Sequence, residues 1–298
     1  MNWKSPMTKL LSLVALLGTV QARAQQDFSK VEIKTIKVAG NVYMLEGRGG
    51  NIGVSVGSDG IMIVDDQFAP LADRIKAALG KLGSDKPKFI LNTHWHGDHT
   101  GGNPAFGGDG TIIAHTNVRK RLETDQELFG GKVEQLPKEG LPVITFDESL
   151  SLHFNDEEIR VLHLPGGHTD GDCVVWFTKS NVLHMGDHMF AGKFPFVDLD
   201  HGGSVEGMAR NILTVLSRVP ADVKIIPGHG SLSTVDDLKT FQRMLAETSA
   251  IVKERIAAGK TLDQVKAGGL PDAWKSWGEG FIKTDQWLET LVKSTSKK

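Results

Sequence analysis

The stretch Ile90–Asn103, ILNTHWHGDHTGGN, places His94, His96, Asp98 and His99 within six positions, after an apolar run and ahead of Gly101-Gly102. No other stretch restricts the fold as much. On an extended segment His94 and His96 alternate across one residue and point the same way; Asp98 continues that register, and His99 follows where the chain must turn. Four metal-ligating side chains are thereby delivered to one small volume. Neutral imidazole and carboxylate are donors that zinc accepts at about 2.0–2.2 Å. A lone core histidine is ordinarily a satisfied polar group, but four in this register are not explained that way.

Three further segments have the same form, an apolar strand ending in a polar turn with one ligand. LHLPGGHTDGD carries His168, VLHMGDHMF carries Asp187 and KIIPGHG carries His229. Small residues beside each ligand let the backbone bend close to a centre and aim one side chain. Seven ligands exceed what one tetrahedral zinc accepts, so two metals are implied.

The rest of the chain supplies the scaffold. Strand-like segments occur at Ile33–Val38, Val42–Leu45, Ile52–Val56 and Ile61–Val64, with Gly40-Asn41 and Gly57–Gly60 as turns. Leu71, Ile75, Leu79 and Leu82 are spaced as one face of a helix, and KFILNT reads as a buried strand entering the histidine motif. A second round follows: strands LSLHF, IRVLHL, CVVWF and VLHMG, a helix over Val205–Val219, strand VKIIP, and a helix over Val235–Ala258. The repeated order suggests a structural duplication, although the halves share no sequence identity. At the C-terminal end, about 260–298, Trp274, Trp277, Phe281, Trp287, Leu288 and Leu291 fit a helical cap packed on the core, or else the lining of a substrate pocket.

His94-x-His96-x-Asp98-His99 followed by His168, Asp187 and His229, in that order and after those strands, resembles the metallo-β-lactamase superfamily over essentially all of residues 30–260. The resemblance implies an α/β fold, a four-layer αββα sandwich of two mixed sheets flanked by helices, with the site at one edge. It implies that His94, His96 and His168 hold one metal, that Asp98, His99 and His229 hold a second, and that Asp187 bridges them. Two Zn2+ are the expected cofactors, with iron or manganese left open. His115, His153, His163, His184, His188 and His201 lie off these positions and read as ordinary polar residues, His188 being the candidate for outer support because it adjoins Asp187.

Two such metals would supply a hydroxide of near-neutral pKa to attack a carbonyl carbon, and Asp98 would orient it and pass a proton to the leaving group. The expectation is a metallo-hydrolase of a small lactam, lactone or ester, cleaving a C–N, C–O or C–S bond. An iron-dependent persulfide dioxygenase of the same fold and a true β-lactamase are the alternatives. The exported lactamases carry cysteine where Asp187 stands and a lysine that grips the substrate; Cys173 is off that position and Lys193 does not match the lysine's offset. Asp187 instead matches generic hydrolases and glutathione thioesterases, whose basic C-terminal segment is missing here. Gly47–Asn51, GRGGN, reads as a mobile flap at the pocket, and Lys193–Gly203 as a lip.

Before all this, Lys4 and Lys9 precede Leu10–Val20 and Ala22-Arg23-Ala24 follows, the pattern of a secretory signal peptide over residues 1–24. The apolar run is shorter than the roughly 20 residues of a membrane span, so a periplasmic or secreted protein without a stable membrane anchor is expected. Its removal takes the formal charge from −2 to −5. That acidity argues against a nucleic-acid partner and leaves a small molecule as substrate. Cys173 is the sole cysteine, so no internal disulfide supports the fold. Nothing in the chain indicates an oligomeric state.

Overall fold

The computed structural model describes residues 27–296; the expected signal peptide lies outside them. The closely spaced apolar segments form antiparallel strands Lys34–Ala39, Val42–Glu46, Ile52–Gly57 and Gly60–Val64. Their connections are too short for the crossover that parallel pairing needs. Helix Ala72–Gly80 is such a crossover, and strands Phe89–Leu91, Thr111–His115 and Ile144–Phe146 then join in parallel to complete seven strands.

The second sheet repeats that order with five strands. Ser149–Phe154, Glu157–His163, Cys173–Phe177 and Val182–His184 run antiparallel, helix Val205–Leu216 crosses over, and Lys224–Ile226 pairs in parallel with Val182–His184. Alternation along the strands divides the side chains between two faces. Met62 and Val64 face inward, where they meet Val161, Val175 and Phe177 of the other sheet. Ile61 and Ile63 face outward under Ile75 and Leu79 of the first helix. On the opposite side Leu183 and Ile225 pack under Met208, Ile212 and Val215, and under Leu238, Phe241 and Leu245 of helix Val235–Ala257. The layers are therefore helix, sheet, sheet, helix, as expected.

Some elements carry little signal in the sequence: Thr111–His115, Ile144–Phe146, helix Thr116–Leu122 and the hairpin Gln126–Leu128 with Gly131–Val133. Each is short, and the hairpin pairs only with itself. The C-terminal aromatics divide. Trp274, Trp277 and Trp287 are buried with Leu288 and Leu291 in the helical layer, where the Trp287 indole donates to Thr248 Oγ1 at 3.1 Å. Phe281 is 75 % exposed and lines a cavity. No helix of the described residues is long and apolar enough to cross a membrane.

Candidate metal centre

Parallel strands Phe89–Leu91 and Lys224–Ile226, and Val182–His184 beside the latter, end at one edge of the sandwich. Their carboxyl-end loops carry His94, His96, Asp98, His99, Asp187 and His229, the usual place for a site in sheets of this kind, and His168 follows strand Glu157–His163. The first loop departs from the sequence expectation in one respect. His96 caps a helical turn, Gly97–Thr100, so Asp98 does not continue the extended register. The N–H groups of His99 and Thr100 both donate to the His96 carbonyl, and the Thr100 hydroxyl adds a third bond to it. Asp98 and His99 thus leave the segment toward a different point from His94 and His96.

The ligand atoms form two groups. His94, His96, His168 and Asp187 make one and Asp98, His99 and His229 the other, with atoms within 4.8 Å of one another in each. Asp187 stands between them. Its Oδ2 is 3.8 Å from His94 Nε2, 3.3 Å from His168 Nε2 and 3.3 Å from His229 Nε2, and its Oδ1 is 3.1 Å from His99 Nε2. Asp98 Oδ2 lies 3.4 Å from His229 Nε2. Donors around one tetrahedral zinc stand roughly 3.3–3.6 Å apart, given bond lengths of about 2.0–2.2 Å.

Hydrogen bonds on the far side of the rings fix which nitrogen faces inward. His96 Nε2 donates to Asp198 Oδ2 at 2.9 Å, and His168 Nδ1 to the Phe196 carbonyl at 2.8 Å. His99 Nδ1 donates to Asp65 Oδ2 at 2.7 Å. His94 Nδ1 donates to Thr93 Oγ1 at 3.0 Å, and that hydroxyl donates in turn to Asp65 Oδ2 at 2.8 Å. Ligating histidines are held in this way by carboxylates and carbonyls. Sequence reasoning named none of these partners. Its one candidate, His188, bonds to Asn211 instead, and His201, read as ordinary, contacts Asp198 Oδ1 at 2.8 Å.

With their outer nitrogens committed as donors, His96 Nδ1 and His168 Nε2 present lone pairs to each other at 2.8 Å. A cation makes that approach favourable, either a proton carried by one ring or a metal ion that both rings move apart slightly to hold. His94 Nε2 and Asp187 Oδ1 are likewise buried without a hydrogen bond. The residues present therefore fit divalent metal. Electrostatics agree. Burial holds His94 well below its usual value and takes His168 down to about 4, so both are neutral as ligation requires. Burial alone would raise Asp187, but the histidines around it, His229 and His99 foremost, hold it well below the usual carboxylate range. Burial opposes a charge on His99, yet Asp187, Asp65 and Asp98 raise it well above normal. In the metal-free protein a proton on His99 therefore supplies part of the positive charge that this acidic pocket favours.

Two glycines explain how closely the backbone approaches. A Cβ at Gly50 would stand 2.1 Å from His99 Cε1, and one at Gly228 2.1 Å from Asp187 Oδ1. The expected flap is therefore fastened. Gly50 N–H donates to the Asp98 carbonyl, Asn51 N–H to the Gly228 carbonyl, and the Asn51 amide to Pro227 and Gly230. Arg48 and Gly49 still border a cavity of about 570 Å3 that opens over Asp98, Asp187 and His229. Its walls are largely apolar and rich in aromatic rings, Trp95 and Phe190 among them. Trp95, between two of the histidines, is 1 % exposed and packs with Ala114, Val118 and Leu122. Lys193 and Phe196 supply the expected lip.

The sequence profile described as the Metallo-beta-lactamase superfamily matches residues 36–229. The chain belongs to that superfamily. A hydroxyacylglutathione hydrolase of Methylococcus capsulatus is 26 % identical over 219 residues, covering 72 % of this chain and 73 % of the relative. The hydroxyacylglutathione hydrolase GloC of Haemophilus influenzae is 32 % identical over 171 residues, covering 54 % and 77 %. Among solved structures of the fold, the DIM-1 metallo-beta-lactamase aligns with a TM-score of 0.59 at 23 % identity, over 74 % of this chain and all of that one. The sec-alkyl sulfatase PisA1 aligns at 0.66 and 14 % identity, over 88 % of this chain and 50 % of its own. With these relatives the chain is a hydrolase of the superfamily, and its His/Asp cluster is of the kind that binds divalent metal.

Proposed function

We propose that the protein hydrolyses a carbonyl C–O or C–S bond with two divalent cations, zinc by the character of the donors. His94, His96 and His168 would hold one, Asp98, His99 and His229 the other, and Asp187 both. The observation that carries this is the convergence of both donor groups on Asp187, with an uncommitted lone pair from His94, His96 and His168 aimed inward. When bound, such a pair supplies Lewis acidity and a hydroxide nucleophile at neutral pH.

The chain's own residues supply the rest. Asp98 is partly exposed at the cavity floor, where its carboxylate can orient the attacking water and carry its proton to the leaving group. Asp65, Thr93, Asp198 and the Phe196 carbonyl keep the imidazoles in the ligating tautomer. The apolar part of the walls lowers the local dielectric, which strengthens each charge interaction inside. Asp187 in place of cysteine, together with relatives named as hydroxyacylglutathione hydrolases, supports ester or thioester cleavage over lactam cleavage. The C-terminal segment brings Phe281 and Ile282 to the cavity, and the basic groups there are Arg48 and Lys193. We further propose export with residues 1–24 removed, checked by N-terminal sequencing of the protein from the periplasm or medium.

Metal analysis with a panel of esters, thioesters, lactones and β-lactams tests the function. Two divalent metals per chain and ester or thioester turnover are expected. One iron per chain with oxygen consumption on a persulfide would overturn the proposal, as would preferential lactam turnover.

A further inference from the structure

Two of the most exposed large apolar side chains among the described residues meet at the mouth of the cavity. Phe281 is 75 % and Phe129 52 % exposed, and they come from parts of the chain about 150 residues apart. Their ring centroids are 5.8 Å apart. Phe129 lies 4.6 Å from Phe196, and Phe196 lies 5.6 Å from His96 and 5.8 Å from His168. A continuous row of rings therefore leads from the ligand imidazoles to solvent.

Phe129 also stands where an aromatic residue is disfavoured. It and Gly130 are the two-residue loop of the hairpin Gln126–Leu128 with Gly131–Val133, at φ of 53° and 68°. That is the type I′ turn in which Asn-Gly is preferred, because both central residues have positive φ. A bulky side chain in the left-handed region is uncommon, and here it puts the ring on the mouth. The cavity volume lies within the roughly 300–1,000 Å3 that encloses drug-sized ligands.

We propose that Phe129, Phe196 and Phe281 form a binding subsite for an extended apolar acyl group, so that the substrate is a medium-length acyl ester or thioester. This rests on the hydrolase proposed above for its acyl bond, while the subsite itself is testable without chemistry. Phe129→Asn suits the turn better than the parent residue, and Phe281→Ser changes an exposed side chain, so neither loss of binding would reflect misfolding.

The first measurement is fluorescence of the neutral apolar probe N-phenyl-1-naphthylamine bound to the full chain stripped of metal. Each substitution should weaken binding roughly tenfold, the scale of losing one largely buried apolar side chain. The second uses p-nitrophenyl esters from acetyl to decanoyl with metal-loaded protein. kcat/KM should rise up to about fourfold per methylene, and the slope should flatten in both variants. Unchanged probe binding in both variants, or a chain-length series that is flat in the parent, overturns the subsite. If no ester or thioester is turned over, the hydrolase proposal fails, and the probe titration alone decides the subsite.

Discussion

Replacing Asp198 with asparagine should weaken one metal site and spare the other. Asp198 Oδ2 accepts from His96 Nε2 at 2.9 Å, while Oδ1 accepts from His201 Nδ1 at 2.8 Å and from His201 N–H at 3.2 Å. Burial would raise this carboxyl, but His96 and His201 take it down to about 2, so it is ionised at any working pH. Asparagine has a single acceptor oxygen for the same donors. If that oxygen keeps the turn at His201, its NH2 faces His96 Nε2 and turns that nitrogen into an acceptor. The ring proton then moves to Nδ1, which faces His168 Nε2 at 2.8 Å and must be bare for ligation. If the oxygen instead serves His96, the Leu199–His201 turn loses its cap and the charge-assisted bond is still lost.

Outer partners of this type are worth about 10–100-fold in metal affinity, or about 1.4–2.7 kcal/mol. Titrating the metal-free variant with zinc against a chromophoric chelator should resolve two classes of site, one with the parent's affinity, assigned to Asp98, His99 and His229, and one weakened by that factor, assigned to His94, His96 and His168. His99 and His229 do not touch Asp198, so their site is the internal control. Parent-like affinities at both sites would refute the tautomer reasoning. Equal weakening of both would refute the division into two donor groups.

Asp65→Asn should behave differently, because Asp65 takes His99 directly and His94 through Thr93; both zinc affinities should fall in the same titration, and loss at one alone would contradict the network. His115 and His163 stack with centroids 3.8 Å apart and are held below the usual histidine value, chiefly by burial. A depressed folded value means that the unfolded chain binds protons first, so stability should fall as pH drops below about 6.5. His115→Asn keeps a residue that can cap helix Thr116–Leu122 and should reduce that dependence in denaturant titrations; an unchanged slope would exclude the pair as a contributor. Cys173 is 1 % exposed, and burial pushes its thiol well up, so a chromogenic disulfide reagent should label it only after unfolding, and rapid native labelling would contradict that burial. Trp287→Ala should destabilise by about 3–5 kcal/mol in calorimetry, since the ring is fully buried against Phe194; a loss below 1 kcal/mol would mean that the C-terminal helix does not brace the cavity wall.

What could be read from the chain follows the range over which each interaction acts. The clustered histidines and aspartates were legible because each follows an apolar strand in a local pattern of histidine, aspartate and small residues. The layers were legible because period-2 and period-3.6 burial is written in neighbouring residues. The register of Asp98 was not, because the switch from strand to helical turn at His96 depends on backbone bonds that a list of ligand types does not contain. The outer partners were not either. Asp65 lies 34 residues before His99, and Asp198 102 residues after His96, and each looks like any other acidic loop residue. Adjacency misled in the case of His188, because a turn of the chain aims it away from Asp187 toward Asn211. Phe129 is the intermediate case. A phenylalanine before glycine between short strands conflicts with the residue preference of the turn it forms, and that conflict was visible in the sequence once the hairpin was known. A residue that breaks a local preference is where the sequence records a demand from elsewhere, and for Phe129 that demand is its packing on Phe196 and Phe281 beside the cavity.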